Sequence, residues 1–199
     1  SIQYRKKRGL LDFSEQMGIL IQEVVGRKVG PYYFPLYAGM AFSCNELRWS
    51  PRIRREDGLL RLVMGLGTRA VDRVGDDFPI LISPGQPGLR VNHTPDEIKK
   101  YSPQMIDLID LEKRQFASVP IRQLIKQYGN EITGILNVAS IFKEDLVTIA
   151  NPYTSNFSKD EFVVTFEGLF KNTPLLAKLK TVLDVLQENL GHPVDIEFA

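Results

Sequence analysis

The sequence predicts an α+β domain, and three stretches carry that prediction. Leu59-Leu60-Arg61-Leu62-Val63 is an apolar run of buried-strand length that breaks at Gly65-Leu66-Gly67. Leu175 to Leu190 repeats apolar residues at helical spacing and stops at Gly191. Val194-Asp195-Ile196-Glu197-Phe198 alternates apolar and acidic residues at the period of a strand.

A chain of 199 residues, 43% hydrophobic and 25% charged, can bury a full core as one domain or as one domain with an insertion. Its net charge of +1 gives no reason to expect nucleic acid or an anionic membrane as a partner. No apolar run approaches the roughly 20 residues that span a bilayer, and no signal-peptide apolar core is seen near Ser1. The single cysteine, Cys44, excludes an internal disulfide framework and fits a reducing cytosol, so a cytoplasmic location is expected. Its neighbours Met40, Ala41 and Phe42 favour an inert, half-buried thiol over a nucleophile.

Taken in order, Tyr4-Arg5-Lys6-Lys7-Arg8 reads as a solvated basic face or a helix end, and Ser14-Glu15-Gln16-Met17 as the close of a short element. Ile19 to Val25 reads as a strand ending at Gly26, with Gln22 and Glu23 as its polar exceptions. They fit either an edge position or a strand that hydrogen-bonds a flat heterocycle; periodicity does not separate the two. Lys28 to Pro35 is a turn and approach segment, and Ala38 to Ser43 is a second strand whose small residues admit a close neighbour. Asn45 to Asp57 is a polar connection with Trp49 and the cations Arg48, Arg52, Arg54 and Arg55. Guanidinium forks match phosphate oxygens, but solvated loop charges are the favoured account.

The bend after Leu59–Val63 has two glycines, which lack a Cβ and let the backbone turn tightly or approach a ligand. Thr68-Arg69-Ala70-Val71-Asp72-Arg73 then brings a hydroxyl and two cations to that backbone, which would suit a phosphate. A lone GxG more often marks a plain turn with a polar surface.

These segments together resemble a known family. Ile21-Gln22-Glu23-Val24-Val25, then Ala38-Gly39-Met40-Ala41-Phe42-Ser43, then Met64-Gly65-Leu66-Gly67 with Val71 and Gly75, are similar to the nucleotide-binding domain of phosphoenolpyruvate synthase and pyruvate phosphate dikinase. The resemblance is closest over 17–83 and 161–199 and implies an ATP-grasp fold. It implies that Gln22, Glu23, Val24 and Val25 form the hinge that reads the adenine edge, with main-chain contacts at Glu23 and Val25. It also implies that Gly65, Gly67, Thr68 and Arg69 contribute to nucleotide binding. The family often has Glu where Thr68 stands, so any charge role at that position is open and a divergent, synthase-like branch is expected.

Further along, Asp76-Asp77 leads to a short strand, Phe78 to Ser83, and Ser83-Pro84-Gly85-Gln86-Pro87-Gly88 is a turn and candidate insertion boundary. His93 reads as structural, with no Cys or second His near enough in sequence for zinc. Thr94-Pro95-Asp96-Glu97 starts a helix: a cap, a proline at the first position and acids in the first turn. Met105 to Leu111 reads as a half-exposed strand, with Arg114 to Val119 as its hairpin partner. Pro120 begins a helix through Ile121, Leu124, Ile125 and Tyr128 that ends at Gly129. Residues 132–150 fit either strands or a helix plus strand, broken at Lys143-Glu144-Asp145. Residues 84–158 are thus expected to form an inserted subdomain, between core segments 1–83 and 159–199.

Phe162 to Phe166 is a strand, and Asn172-Thr173-Pro174 starts the last helix. On that helix Leu175, Leu179, Val182, Leu186 and Leu190 share one face, widened by Leu176 and Leu183. In the final strand Asp195 and Glu197, two apart, point the same way. Two hard carboxylates side by side suit Mg²⁺; spacing alone equally allows a solvated acidic edge. The resemblance favours the metal, because His192-Pro193-Val194-Asp195-Ile196-Glu197-Phe198-Ala199 is similar to the family strand whose acids hold Mg²⁺ on the ATP phosphates.

The resemblance implies an excised part of a longer phosphotransferase in which ATP phosphorylates a histidine carrier that then converts pyruvate to phosphoenolpyruvate. The remaining parent domains, a phosphohistidine domain and a pyruvate-binding domain, are the expected partners beside ATP. The piece alone is expected to be inactive. Two alternatives stand beside this reading: a dikinase of the same fold acting on another acceptor, a glucan or an antibiotic, and a non-catalytic interaction module whose nucleotide site has decayed.

Overall fold

The computed structural model describes residues 2–9, 18–71 and 77–199. The expected close at Ser14 to Met17, and Asp72, Arg73, Gly75 and Asp76, lie outside the described residues. In chain order the elements begin with α1 (Ile2–Lys7), β1 (Arg27–Val29), β2 (Tyr32–Phe34), β3 (Ala38–Phe42), β4 (Leu59–Val63), α2 (Thr68–Val71) and β5 (Ile80–Ile82). They continue with α3 (Pro95–Tyr101), β6 (Met105–Asp110), β7 (Gln115–Pro120), α4 (Ile121–Tyr128), α5 (Ile135–Val138), β8 (Ala139–Lys143) and β9 (Leu146–Ile149). The last are β10 (Glu161–Val164), α6 (Glu167–Asn172), α7 (Leu175–Leu190) and β11 (Asp195–Phe198). Their pairing is antiparallel and makes sheets of order β1-β2-β6-β7, β10-β8-β9 and β11-β3-β4-β5. The architecture is α+β. Pairing crosses residue 84 through β2 with β6.

Local chemistry explains the best-defined starts and stops. Thr94 accepts the Glu97 backbone N–H, and the Glu97 carboxylate accepts those of Thr94 and His93, a complete capping box ahead of Pro95. The bonds from Thr94 and His93 hold the Glu97 carboxyl below the ordinary glutamate value. Gly129 closes α4 and Gly191, at φ 71°, closes α7. Residues 132–150 resolve into α5 and the hairpin β8–β9, which turns at Glu144 and Asp145, both with positive φ.

The β11-β3-β4-β5 sheet has two unlike faces, set by the pleat. One presents Ile196, Ala41, Leu60 and Ile82, and the last three are fully buried in the main core. Leu176, Leu179 and Leu183 of α7 join that core. The other face carries Glu197, Met40, Arg61 and Leu81 in one cross-strand row, with Asp195 beside Phe42 in another.

Three expectations are corrected. Ile19–Val25 is no strand here: residues 18–26 have no ladder partner, and Ile21 is 89% exposed. An apolar run needs a neighbouring backbone to become a strand, whatever its propensity. β6 is buried rather than half-exposed, because its acids Asp107 and Asp110 have hydrogen-bond partners that make burial affordable. On α7 the buried stripe is Leu176, Leu179 and Leu183, while Val182 and Leu190 face outward.

Candidate functional site

The glycine bend is built by close approach to β6. Gly65 has φ 83°, and a Cβ there would lie 2.4 Å from the Asp107 carbonyl oxygen and 2.4 Å from Ile106 Cγ1. Leu66 N–H donates to that same carbonyl at 2.9 Å. The first glycine therefore serves the chain's own packing.

The side chains that follow converge on one carboxylate. Thr68 Oγ1 donates to Asp107 Oδ2 at 2.6 Å, Arg69 Nε donates to Asp107 Oδ1 at 2.9 Å, and Ser118 Oγ also bonds Oδ1. Arg69 Nη1 reaches Asp77 Oδ2 at 3.1 Å, and Asp77 in turn accepts the backbone N–H groups of Gln104 and Met105. Side-chain exposure is 11% for Arg69, 10% for Asp77 and 5% for Asp107. Burial pushes the Asp107 carboxyl up, but hydrogen bonds from Ser118, Thr68 and Arg69, with the Arg69 charge, outweigh it and hold the carboxyl below the ordinary aspartate value. Arg69, expected to face a phosphate, is engaged inside the protein as the clamp of the bend. Sequence reading missed Asp77, Asp107 and Ser118 as its partners. An acid within the apolar run Met105 to Leu111 was the available signal.

The second glycine lies over the sheet. A Cβ at Gly67 would sit 3.4 Å from Ala38 Cβ. Ala38 points to the same face as Met40, and Met40 is the register partner of Glu197. The bend thus folds over the sheet face that bears Glu197, whose Cα is about 8 Å from that of Ala38 at standard strand spacings. Asp195 follows on the same face, beside Phe42. Both acids are exposed, and among the described residues neither has an ion pair or side-chain hydrogen bond.

At that end of the sheet lies a concavity of about 310 Å³ lined by Val25, Gly26, Arg27, Lys28, Tyr37 and Ala199, among others. It brings the end of the expected hinge and the residue after β11 to one hollow. Glu131, which also lines it, accepts the Gly30 N–H at 3.2 Å. Gln22, Glu23 and Val24 lie outside it on exposed chain, where the Val24 carbonyl accepts the Tyr33 hydroxyl. The loop arginines are exposed, Arg55 pairing with Glu46 at 2.6 Å and Arg54 with Glu56 at 3.8 Å.

Chemically, two free carboxylates of one strand fit Mg²⁺ in the manner it favours, through one or two acids with the remaining positions left to water or phosphate. Among the described residues there is no group of three or more His, Cys, Asp or Glu placed to hold a metal without such help. Among them, too, no helix is long and apolar enough to cross a membrane.

These features define a class: an α+β protein with an acid-bearing sheet face overhung by a glycine bend. The family model described as pyruvate phosphate dikinase, AMP/ATP-binding domain, matches residues 1–199, and the chain belongs to that family. Membership supports AMP/ATP binding as part of a pyruvate phosphate dikinase-like or phosphoenolpyruvate synthase-like enzyme. No curated protein and no solved structure matches the chain significantly.

Proposed function

We propose that this chain holds Mg²⁺-ATP against the acid-bearing face of the β11-β3-β4-β5 sheet, within an ATP-grasp phosphotransferase that phosphorylates a histidine carrier on the way from pyruvate to phosphoenolpyruvate. The observation that carries the reading is the overhang of Gly67 above Ala38, on the face that also bears Glu197. Asp195 and Glu197 are the residues that would hold the metal; bound there, it would neutralise phosphate charge, the main need of phosphoryl transfer. The purine lies in the hollow between Val25–Lys28 and Ala199, with Val25 on its wall and Gln22, Glu23 and Val24, on the exposed chain leading into it, as the rest of the hinge. Gly67 and Thr68 bring backbone toward the phosphates, and Arg69 holds the bend through Asp107. Residues 84–158 are an insertion between the core segments 1–83 and 159–199, lending Asp107 to that clamp.

One observation favours a second reading, a non-catalytic binding module: the Arg69 guanidinium is committed to Asp77 and Asp107. Backbone-resolved NMR titration with ATP tests the nucleotide site itself. Shifts clustered at Val25 to Lys28, Gly65 to Thr68 and Ala199 are expected; shifts confined to any other surface contradict it.

A further inference from the structure

A second cavity, about 430 Å³, lies between β5, α3 and the β8–β9 hairpin, outside the nucleotide site. Ile80, Val91, Ile98, Tyr101 and Val147 give it largely apolar walls. Arg90, Glu167 and Lys171 line it as well. Arg90 Nη2 meets Glu167 Oε1 at 2.5 Å, and Lys171 Nζ lies 3.7 Å from Glu167 Oε2. One carboxylate shared by two cations leaves this lining with a positive charge. The Arg90 guanidinium packs on the Phe170 ring at 4.7 Å, which fixes it in place, and among the described residues only its Nη2 donates a hydrogen bond.

Ser140 and Thr165 also line it, at 1% and 7% exposure. Their hydroxyl oxygens are 2.6 Å apart, and Thr165 Oγ1 also accepts the Glu167 N–H at 3.3 Å. Each hydroxyl carries one proton. The bond between them uses one; the other has no acceptor among the described residues. A buried donor left without an acceptor is costly, so the hydroxyl pair calls for an acceptor oxygen from outside the chain. Glu167 joins the two polar groups, its N–H on Thr165 and its carboxylate on Arg90.

We propose that this cavity binds a small organic carboxylate, its oxygens meeting Arg90 and the spare hydroxyl proton while its hydrocarbon part rests on Ile80, Val91 and Ile98. The volume is that of a small-molecule pocket, and the combination of apolar walls with a few convergent polar groups is the usual form of one. Neither the carboxylate pair on β11 nor the glycine bend takes part, so the proposal stands apart from the nucleotide reading.

Titration of the full chain with phenylacetate, followed by backbone-resolved NMR, tests it. Saturable shifts at residues 90–101, 140–149 and 165–171 are expected. The uncharged isostere phenylacetamide should bind about tenfold weaker or worse, as should phenylacetate to Arg90→Gln, since each loses a charge-assisted contact. Lys171→Gln alters an exposed side chain and should weaken phenylacetate about threefold with the fold intact. If Arg90→Gln fails to fold, the amide comparison and Lys171→Gln decide. Absence of saturable shifts, which would mean that water alone satisfies the hydroxyl, overturns the proposal; so do equal binding of acid and amide, or shifts located elsewhere.

Discussion

Arg69 and Asp107 form a nearly buried ion pair, with Arg69 Nε 2.9 Å from Asp107 Oδ1, and this pair joins the glycine bend to β6. Chain segments 38 residues apart in sequence are thereby fixed to each other. The bend keeps its position over Ala38 because the side chains that follow it are anchored to Asp107 and Asp77.

Removing the guanidinium strands two buried carboxylates, so Arg69→Met should lower stability by about 3 kcal/mol or more in urea unfolding. Arg69→Lys should recover only part of it, since a lysine ammonium lacks the fork that reaches Asp107 and Asp77 together. Stability unchanged in Arg69→Met would show the clamp to be dispensable.

Asp107 gives this clamp a pH signature. Its folded pKa is depressed below the ordinary 3.8. Its contribution is therefore fully present above that value and is lost as pH falls through the folded pKa. Unfolding curves from pH 6 down to about pH 2 should show this loss in wild type, and Asp107→Asn should be less stable at neutral pH with a flatter acid limb. Parallel acid limbs in the two proteins would refute the assignment.

The two glycines of the bend should respond differently. Gly65→Ala meets both a positive φ and the Asp107 carbonyl, and should cost about 2–3 kcal/mol. Gly67→Ala meets only Ala38 Cβ at ordinary contact distance, so stability should stay within about 0.5 kcal/mol. Its added methyl does stand on the proposed phosphate approach. Thermal unfolding separates the pair, and equal losses would contradict this division of roles.

What the residues revealed in advance follows physical locality. The capping box at Thr94, the stops at Gly129 and Gly191 and the strand carrying Asp195 and Glu197 all depend on neighbours within a few positions, and they are where the sequence puts them. Long-range partners decided the rest. Ile19–Val25 has the composition of a strand, yet pairing is a property of two segments. Arg69 reads equally well as a phosphate ligand or as a counter-ion for Asp107, because its choice rests on a strand 38 residues away in the chain. On α7 Leu183 is fully buried while its neighbour Val182 is 44% exposed. Helical spacing fixes a stripe only to within about one residue's turn.

Calorimetric titration of Mg²⁺-ATP into the chain and into its Asp195→Asn, Glu197→Gln double variant decides whether the two β11 acids hold the metal. Both acids are exposed on β11, so the variant should keep its fold and unfolding temperature. The variant should lose about tenfold or more in Mg²⁺-ATP affinity, with little change toward metal-free ATP. Equal affinity for Mg²⁺-ATP in the two proteins would contradict it.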